Sequence, residues 1–115
     1  MAGDRLVDEA PFLRMAVTGP PAQPRVRVDG EIDVATAPVL RTELVALIDA
    51  GAQHITLDLG GVPFIDSSGL GVLVGTLRRL RETRDGELRV DGVQVGVRKI
   101  FEITGLSPMF GLESP

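Results

Sequence analysis

The chain has no cysteine, no tryptophan and no tyrosine, and only one histidine, His54, among its 115 residues. Without cysteine there can be no disulfide and no thiolate metal ligand. A lone histidine among scattered carboxylates offers no metal-ligand spacing, so neither a metal nor a cofactor is expected. The only aromatic residues are four phenylalanines, too few to build stacking platforms for bases. The net charge of -4 carries no electrostatic footprint for nucleic acid or an anionic membrane. Every apolar run falls far short of the roughly 20 residues that span a bilayer. Residues 1–9 mix charges of both signs and lack the apolar stretch of a signal peptide. A cytoplasmic protein that touches neither membrane nor nucleic acid is the expectation.

What is present is an ordinary globular composition, 43% apolar and 24% charged. The length suits one domain with one core, and that core must be built from Leu, Val and Ile. Residues 1–10 read as a polar lead-in and residues 11–115 as a single domain. Alternation predicts strands over 12–17 and 25–29, joined by a turn at Gly19-Pro20-Pro21-Ala22-Gln23-Pro24. Thr36 is the expected N-cap of a first helix, with Pro38 in its first turn, Leu40, Leu44, Leu47 and Ile48 on its inner face, and Gly51 as its stop. A third strand covers 54–59, and Gly60-Gly61-Val62-Pro63 is expected to turn the chain. A second helix runs over 67–82, a fourth strand over 87–90 and a third helix over 95–104. Phe110-Gly111-Leu112 is a candidate for a last short strand. The order ββαβαβα predicts an α/β fold in which helices cover mainly one face of a mixed sheet.

The stretch Phe64-Ile65-Asp66-Ser67-Ser68-Gly69-Leu70-Gly71-Val72-Leu73 joins the third strand to the second helix. At about 100° per residue, with Leu70 at zero, Leu73, Val74, Leu77 and Leu80 fall within roughly 80° and define the buried face. Ser67 falls about 60° from Leu70, on the flank of that face, where local hydrogen bonding is expected. Ser68 falls about 160° away, with Val72, Gly75 and Arg79 within about 40° of it. The wheel therefore selects Ser68 as the displayed hydroxyl. Asp66 is placed to cap the helix, and Asp66-Ser67-Ser68 also reads as plain capping chemistry. Against that stand Gly69 and Gly71, each about 0.8–1 kcal/mol worse than Ala in a helix, which leave room for something large to approach.

Three other chemistries fit less well. A hydrolase built from Ser68, Asp66 and His54 lacks the Gly-x-Ser-x-Gly elbow. His54 also stands a strand length away, about 20 Å at 3.3 Å per residue. Gly60-Gly61 and Gly69-Leu70-Gly71 lack both the P-loop lysine and the dinucleotide spacing, so they read as turn and close-approach glycines. Arg78, Arg79, Arg81 and Arg84 could touch phosphate or RNA, but they read better as a solvated cluster at the end of the second helix, where cations suit its dipole.

The motif Asp66-Ser67-Ser68-Gly69-Leu70-Gly71, the upstream Gly30-Glu31-Ile32-Asp33 with Thr36-Ala37, and the later Val97-Arg98-Lys99-Ile100-Phe101-Glu102-Ile103-Thr104-Gly105-Leu106 resemble bacterial anti-sigma factor antagonists of the STAS fold. The likeness covers residues 12–112. It implies a non-enzymatic partner switch. The unmodified antagonist binds an anti-sigma factor that is also a serine kinase, and a sigma factor is released to transcription. Phosphorylation at the position of Ser68 separates the pair, and a serine phosphatase restores the active form. The resemblance places Asp66, Ser67, Asp33 and Gly69 around that serine. It adds Asp33 and Thr36 to a partner face of Ser68, Val72, Gly75 and Arg79. The alternative within the same fold is a non-switching STAS module that scaffolds a different protein partner. The proline-rich loop at 19–24 and the Val93-Gln94-Val95-Gly96 segment depart from the family pattern.

Overall fold

A computed structural model describes the backbone of residues 5–10 and 13–112, and the side chains of 13–112. Five strands form one sheet in the order β1 (Arg5–Ala10), β2 (Leu13–Thr18), β3 (Arg25–Gly30), β4 (His54–Gly61) and β5 (Glu87–Asp91). Strand β2 runs antiparallel to both of its neighbours, β1 and β3, and β3, β4 and β5 run parallel. From Leu13 onward the order is the expected ββαβαβα. The addition is β1, which pairs with β2 where a polar lead-in was expected. Its sequence shows little apolar alternation, so the gain comes from backbone pairing along β2, which side-chain periodicity does not report.

Helix α1 (Ala37–Asp49) connects β3 to β4, and α2 (Ser67–Arg84) connects β4 to β5. Parallel strands laid down in one direction with right-handed crossovers put both helices on the same face of the sheet. That face holds the core. Leu13, Met15, Val26, Val28, Leu57 and Leu59 of the sheet meet Leu40 and Leu44 of α1 and Leu73, Leu77 and Leu80 of α2, each almost wholly excluded from water. Five of these side chains are the predicted inner residues of the two helices, so their 3.6-residue period is satisfied in space.

The other face of the sheet is charged. Arg25 pairs with Asp91 at 3.0 Å and Asp58 at 3.3 Å, while Arg27 pairs with Asp29 at 3.1 Å and reaches Asp58 at 3.6 Å. Partial burial alone would raise the Asp58 carboxyl. The Gly60 N–H together with Arg25 and Arg27 outweighs it and holds the group below the usual carboxylate range.

Three boundaries differ from the expectation. Gly60 and Gly61 still belong to β4, while the Val62 N–H donates to Leu59 O at 3.0 Å, so the chain turns across the two glycines at the strand's end. Helix α2 runs on to Arg84, where Asp85 adopts a left-handed conformation (φ 51°). Its terminal arginines are also more than a solvated cluster: Arg84 donates to the Ile48 carbonyl at the end of α1, and Arg81 pairs with Glu87 at 3.0 Å. Finally, Phe110-Gly111-Leu112 is not a strand. After α3 (Val95–Ile103) the chain makes a 3-10 turn at Pro108–Phe110, which seats Phe110 edge-on to Phe101 with ring centroids 5.8 Å apart. Pro108 has no N–H for a ladder, and burying Phe110 completely supplies the stabilisation instead. Among the described residues no helix is long and apolar enough to cross a membrane.

Candidate functional site

The site forms where the chain leaves β3 and β4. Past the ends of these strands, Ile32 and Ile65 form one further parallel bridge, with the Ile32 N–H on Phe64 O at 3.0 Å and the Asp66 N–H on Ile32 O at 3.1 Å. Both isoleucines are buried. The bridge brings together two segments that lie far apart in the sequence, each continuing into an aspartate and then a helix.

The two aspartates do the same local job. Asp66 Oδ1 accepts from the N–H groups of Ser68 (2.9 Å) and Gly69 (3.2 Å), and so caps α2. Asp33 Oδ1 accepts from the N–H groups of Ala35 (2.9 Å) and Thr36 (3.0 Å) ahead of α1. Asp66 has the expected capping role. At α1 the expectation changes. Thr36 occupies the N-cap position, but its side chain makes no cap bond to the helix. Its hydroxyl donates to Glu31 O at 2.7 Å and accepts from the Asp33 N–H at 2.9 Å, tying the loop back on itself. Thr36 is only 3% exposed, so it cannot lie on a partner face. The motif named the right segment but assigned to the surface a side chain that the loop consumes.

The glycines divide in a way the helical wheel did not separate. A Cβ on Gly69 would lie 2.5 Å from Ile32 Cγ2 and 2.7 Å from Ile65 Cγ1, closer than packed carbons allow. Gly69 therefore lets the start of α2 sit directly on the isoleucine bridge. Gly71 and Gly75 meet nothing within 4 Å and are exposed. Of Gly69 and Gly71, where the sequence suggested open space, only Gly71 leaves it, and Gly75 extends it along the helix.

Ser68 and Ser67 also differ from expectation in their surroundings. Ser67 is exposed and Ser68 is half-buried, the reverse of the order read from the wheel. A wheel drawn on α2 alone omits α1, which lies alongside it. Ser68 lines an open groove of about 450 Å³ with Gly71, Val72, Gly75 and Arg79 of α2 and Arg41 and Val45 of α1. Ser67 does not line it. Among the described residues no hydrogen bond holds the Ser68 hydroxyl. Arg79 closes the far end of the groove through its ion pair with Asp49 at 3.3 Å. The strip predicted on α2 is thus one wall of a trough between two helices.

Sequence reasoning missed Arg41 and Val45. Their i, i+4 spacing beside Leu40 and Leu44 would have placed them on the flank of α1, but nothing in the sequence says which helix that flank faces. It also passed over Val34, 74% exposed in the loop after Asp33, and Phe64, 48% exposed just before Ile65. Both are large apolar side chains in water beside the two capping aspartates. His54 lines a separate cavity with Arg81, Glu87 and Arg89 and takes no part in the groove of Ser68.

The chain matches the STAS domain profile over residues 15–114. It is 42% identical over 84 residues to an anti-sigma-B factor antagonist of Staphylococcus aureus, a match that covers 73% of this chain and 77% of that protein. A crystal structure of an anti-sigma factor antagonist from Mycobacterium paratuberculosis superposes with a TM-score of 0.76 at 29% identity, covering 88% of this chain and 86% of that one. The Bacillus cell fate determinant SpoIIAA in its phosphorylated form superposes with a TM-score of 0.65 at 25% identity, covering 83% and 86%. With the profile matched over most of its length and a curated relative at 42% identity, the chain belongs to the STAS domain family.

Proposed function

We propose that the chain is an anti-sigma factor antagonist whose binding is switched by phosphorylation of Ser68. In the unmodified state the groove and the loops of Asp33 and Phe64 dock on an anti-sigma factor, which thereby gives up its sigma factor. That anti-sigma factor is also a serine kinase. It passes the γ-phosphoryl group of ATP to Ser68: the Oγ–P bond forms as the anhydride bond to ADP breaks, and the hydroxyl proton leaves to a base on the kinase. A serine phosphatase reverses the modification. The chain acts as substrate and ligand, not as an enzyme.

The observation that carries this reading is the half-buried Ser68, whose hydroxyl has no hydrogen bond among the described residues, set in a groove whose small residues leave it open. The electrostatics favour separation after modification. A phosphate adds about -1.5 to -2 charge at neutral pH, directly beside the Asp66 carboxylate. It would lie against whatever surface had packed over the groove. A hundredfold loss of affinity needs only about 2.8 kcal/mol. The cap also removes the main counter-argument. A helix N-terminus normally welcomes phosphate through its free N–H groups, but those of Ser68 and Gly69 are already taken by Asp66.

The test is a release assay. Unmodified chain added to a purified complex of the cognate anti-sigma factor and sigma factor is expected to free the sigma factor, and ATP is expected to reverse this. Ser68→Ala should release sigma factor and stay resistant to ATP. Release by wild-type chain that ATP leaves untouched would instead identify a non-switching STAS module.

A further inference from the structure

The groove contains one cation that the fold does not use. Arg41 is exposed on α1 and lines the groove with Ser68, and it has no ion pair or hydrogen bond among the described residues. Arg79, the other arginine of the groove, is held by Asp49. Because β3, β4 and β5 are parallel, α1 and α2 run in the same direction across the sheet. The Arg79–Asp49 pair joins the thirteenth residue of each helix, which keeps the two helices about in step. On that register Arg41, the fifth residue of α1, lies level with Gly71, the fifth of α2, and Ser68 is the second. The axial offset between Arg41 and Ser68 is three residues, about 4.5 Å. Helical side chains lean toward the N-terminus, so the Arg41 guanidinium leans toward the level of Ser68. Gly71 between them has no Cβ to obstruct the crossing, and even an added Cβ would meet no neighbouring element within 4 Å.

From this arrangement we infer that Arg41 is the receiver of the Ser68 phosphate, pairing with it across the groove between α1 and α2. The inference rests on Ser68 being the modified residue, as proposed above. The phosphate needs such a partner because the N–H groups of Ser68 and Gly69 are already taken, and what takes them is the anionic Asp66. A guanidinium offers two parallel donors to a phosphate, a geometry that Lys does not reproduce. The paired phosphate would then lie along the docking trough, so the modified state is a defined occupied groove as well as a repulsive surface.

The phosphate can be placed without any kinase, by incorporating phosphoserine at position 68 of the full chain during translation. Phosphorus NMR then follows its second ionisation in the wild-type chain and in Arg41→Gln. The expected result is a wild-type midpoint about 0.5–1 pH unit below that of Arg41→Gln, with Arg41→Lys between them. Midpoints that coincide in wild type and Arg41→Gln, with both chains folded by circular dichroism, would overturn the inference. So would an Arg41→Gln chain whose unmodified form loses affinity for the anti-sigma factor while its phosphate titrates as in wild type. Arg41 would then be a docking residue and not a receiver. Because no kinase is involved, the titration reports on this pair alone, and a kinase that ignored Ser68 would count only against the functional reading.

Discussion

Replacing Gly69, Gly71 and Gly75 one at a time by Ala separates two uses of glycine within a single helix. All three have helical backbone, with no positive φ, so alanine costs no backbone strain at any of them. Each substitution gains helix propensity, about 0.8–1 kcal/mol. At Gly71 and Gly75 the new methyl group enters open space and the gain should appear in full. At Gly69 the methyl would press on Ile32 and Ile65 at 2.5 Å and 2.7 Å, both buried and bridged by backbone hydrogen bonds, so neither can retreat freely. Overpacking of that kind costs about 1–3 kcal/mol. Propensity cancels in the comparison, so Gly69→Ala should be less stable than Gly71→Ala by that same amount, about 1–3 kcal/mol. At roughly 4 °C per kcal/mol, melting temperatures should differ by about 4–12 °C. Urea unfolding followed by circular dichroism gives the free energies directly, and equal slopes would confirm that the unfolded states are comparable. If Gly69→Ala melted together with Gly71→Ala and Gly75→Ala, the close seat of α2 on the isoleucine bridge would be wrong.

Three further outcomes are expected. Val72→Arg, on the half-buried wall of the groove, should abolish binding of the anti-sigma factor in calorimetry while the melting temperature stays within about 2 °C of wild type; unchanged affinity would place docking elsewhere. Thr36→Val keeps the shape of the side chain but leaves the Glu31 carbonyl and Asp33 N–H without their partner, so it should cost about 1–3 kcal/mol in urea unfolding, with Thr36→Ser largely restoring it. The Asp58 carboxyl lies lower in the folded than in the unfolded chain, so its contribution is complete above the unfolded value of about 3.9 and is lost as pH falls through the lower folded value. Asp58→Asn should therefore melt lower at pH 7 and lose less stability between pH 5 and pH 2; parallel pH profiles would contradict the open-face network.

The elements that the sequence made legible are those whose side chains report their own environment. Leu40, Leu44 and Ile48, or Ile55, Leu57 and Leu59, carry their period on their faces and pack as that period requires. Strand β1 was not legible because its pairing with β2 is made by backbone groups common to every sequence. Phe110 misled because a short apolar run flanked by glycine suits a strand, whereas its stabilisation comes from Phe101, on another element. At the site, the sequence marked Asp66 correctly as the cap, but it read Ser68 as displayed outward where the side chain is half-buried in a groove. It could not sort Gly69 from Gly71, since that difference depends on Ile32, in a distant segment upstream. Arg41 was hidden for the same reason. One helix's wheel says which residues leave its core, and only the neighbouring helix decides whether they meet solvent or a trough.

For the switch to work as described, Ser68 must be the residue that is modified. Incubating the full chain with its cognate anti-sigma kinase and ATP, followed by intact-mass measurement and fragment mapping, tests this directly. The predicted result is a single added phosphate located on Ser68, with none on the Ser68→Ala chain. A phosphate mapped to the exposed Ser67, or a chain that gains no mass while it still binds the kinase, would contradict it.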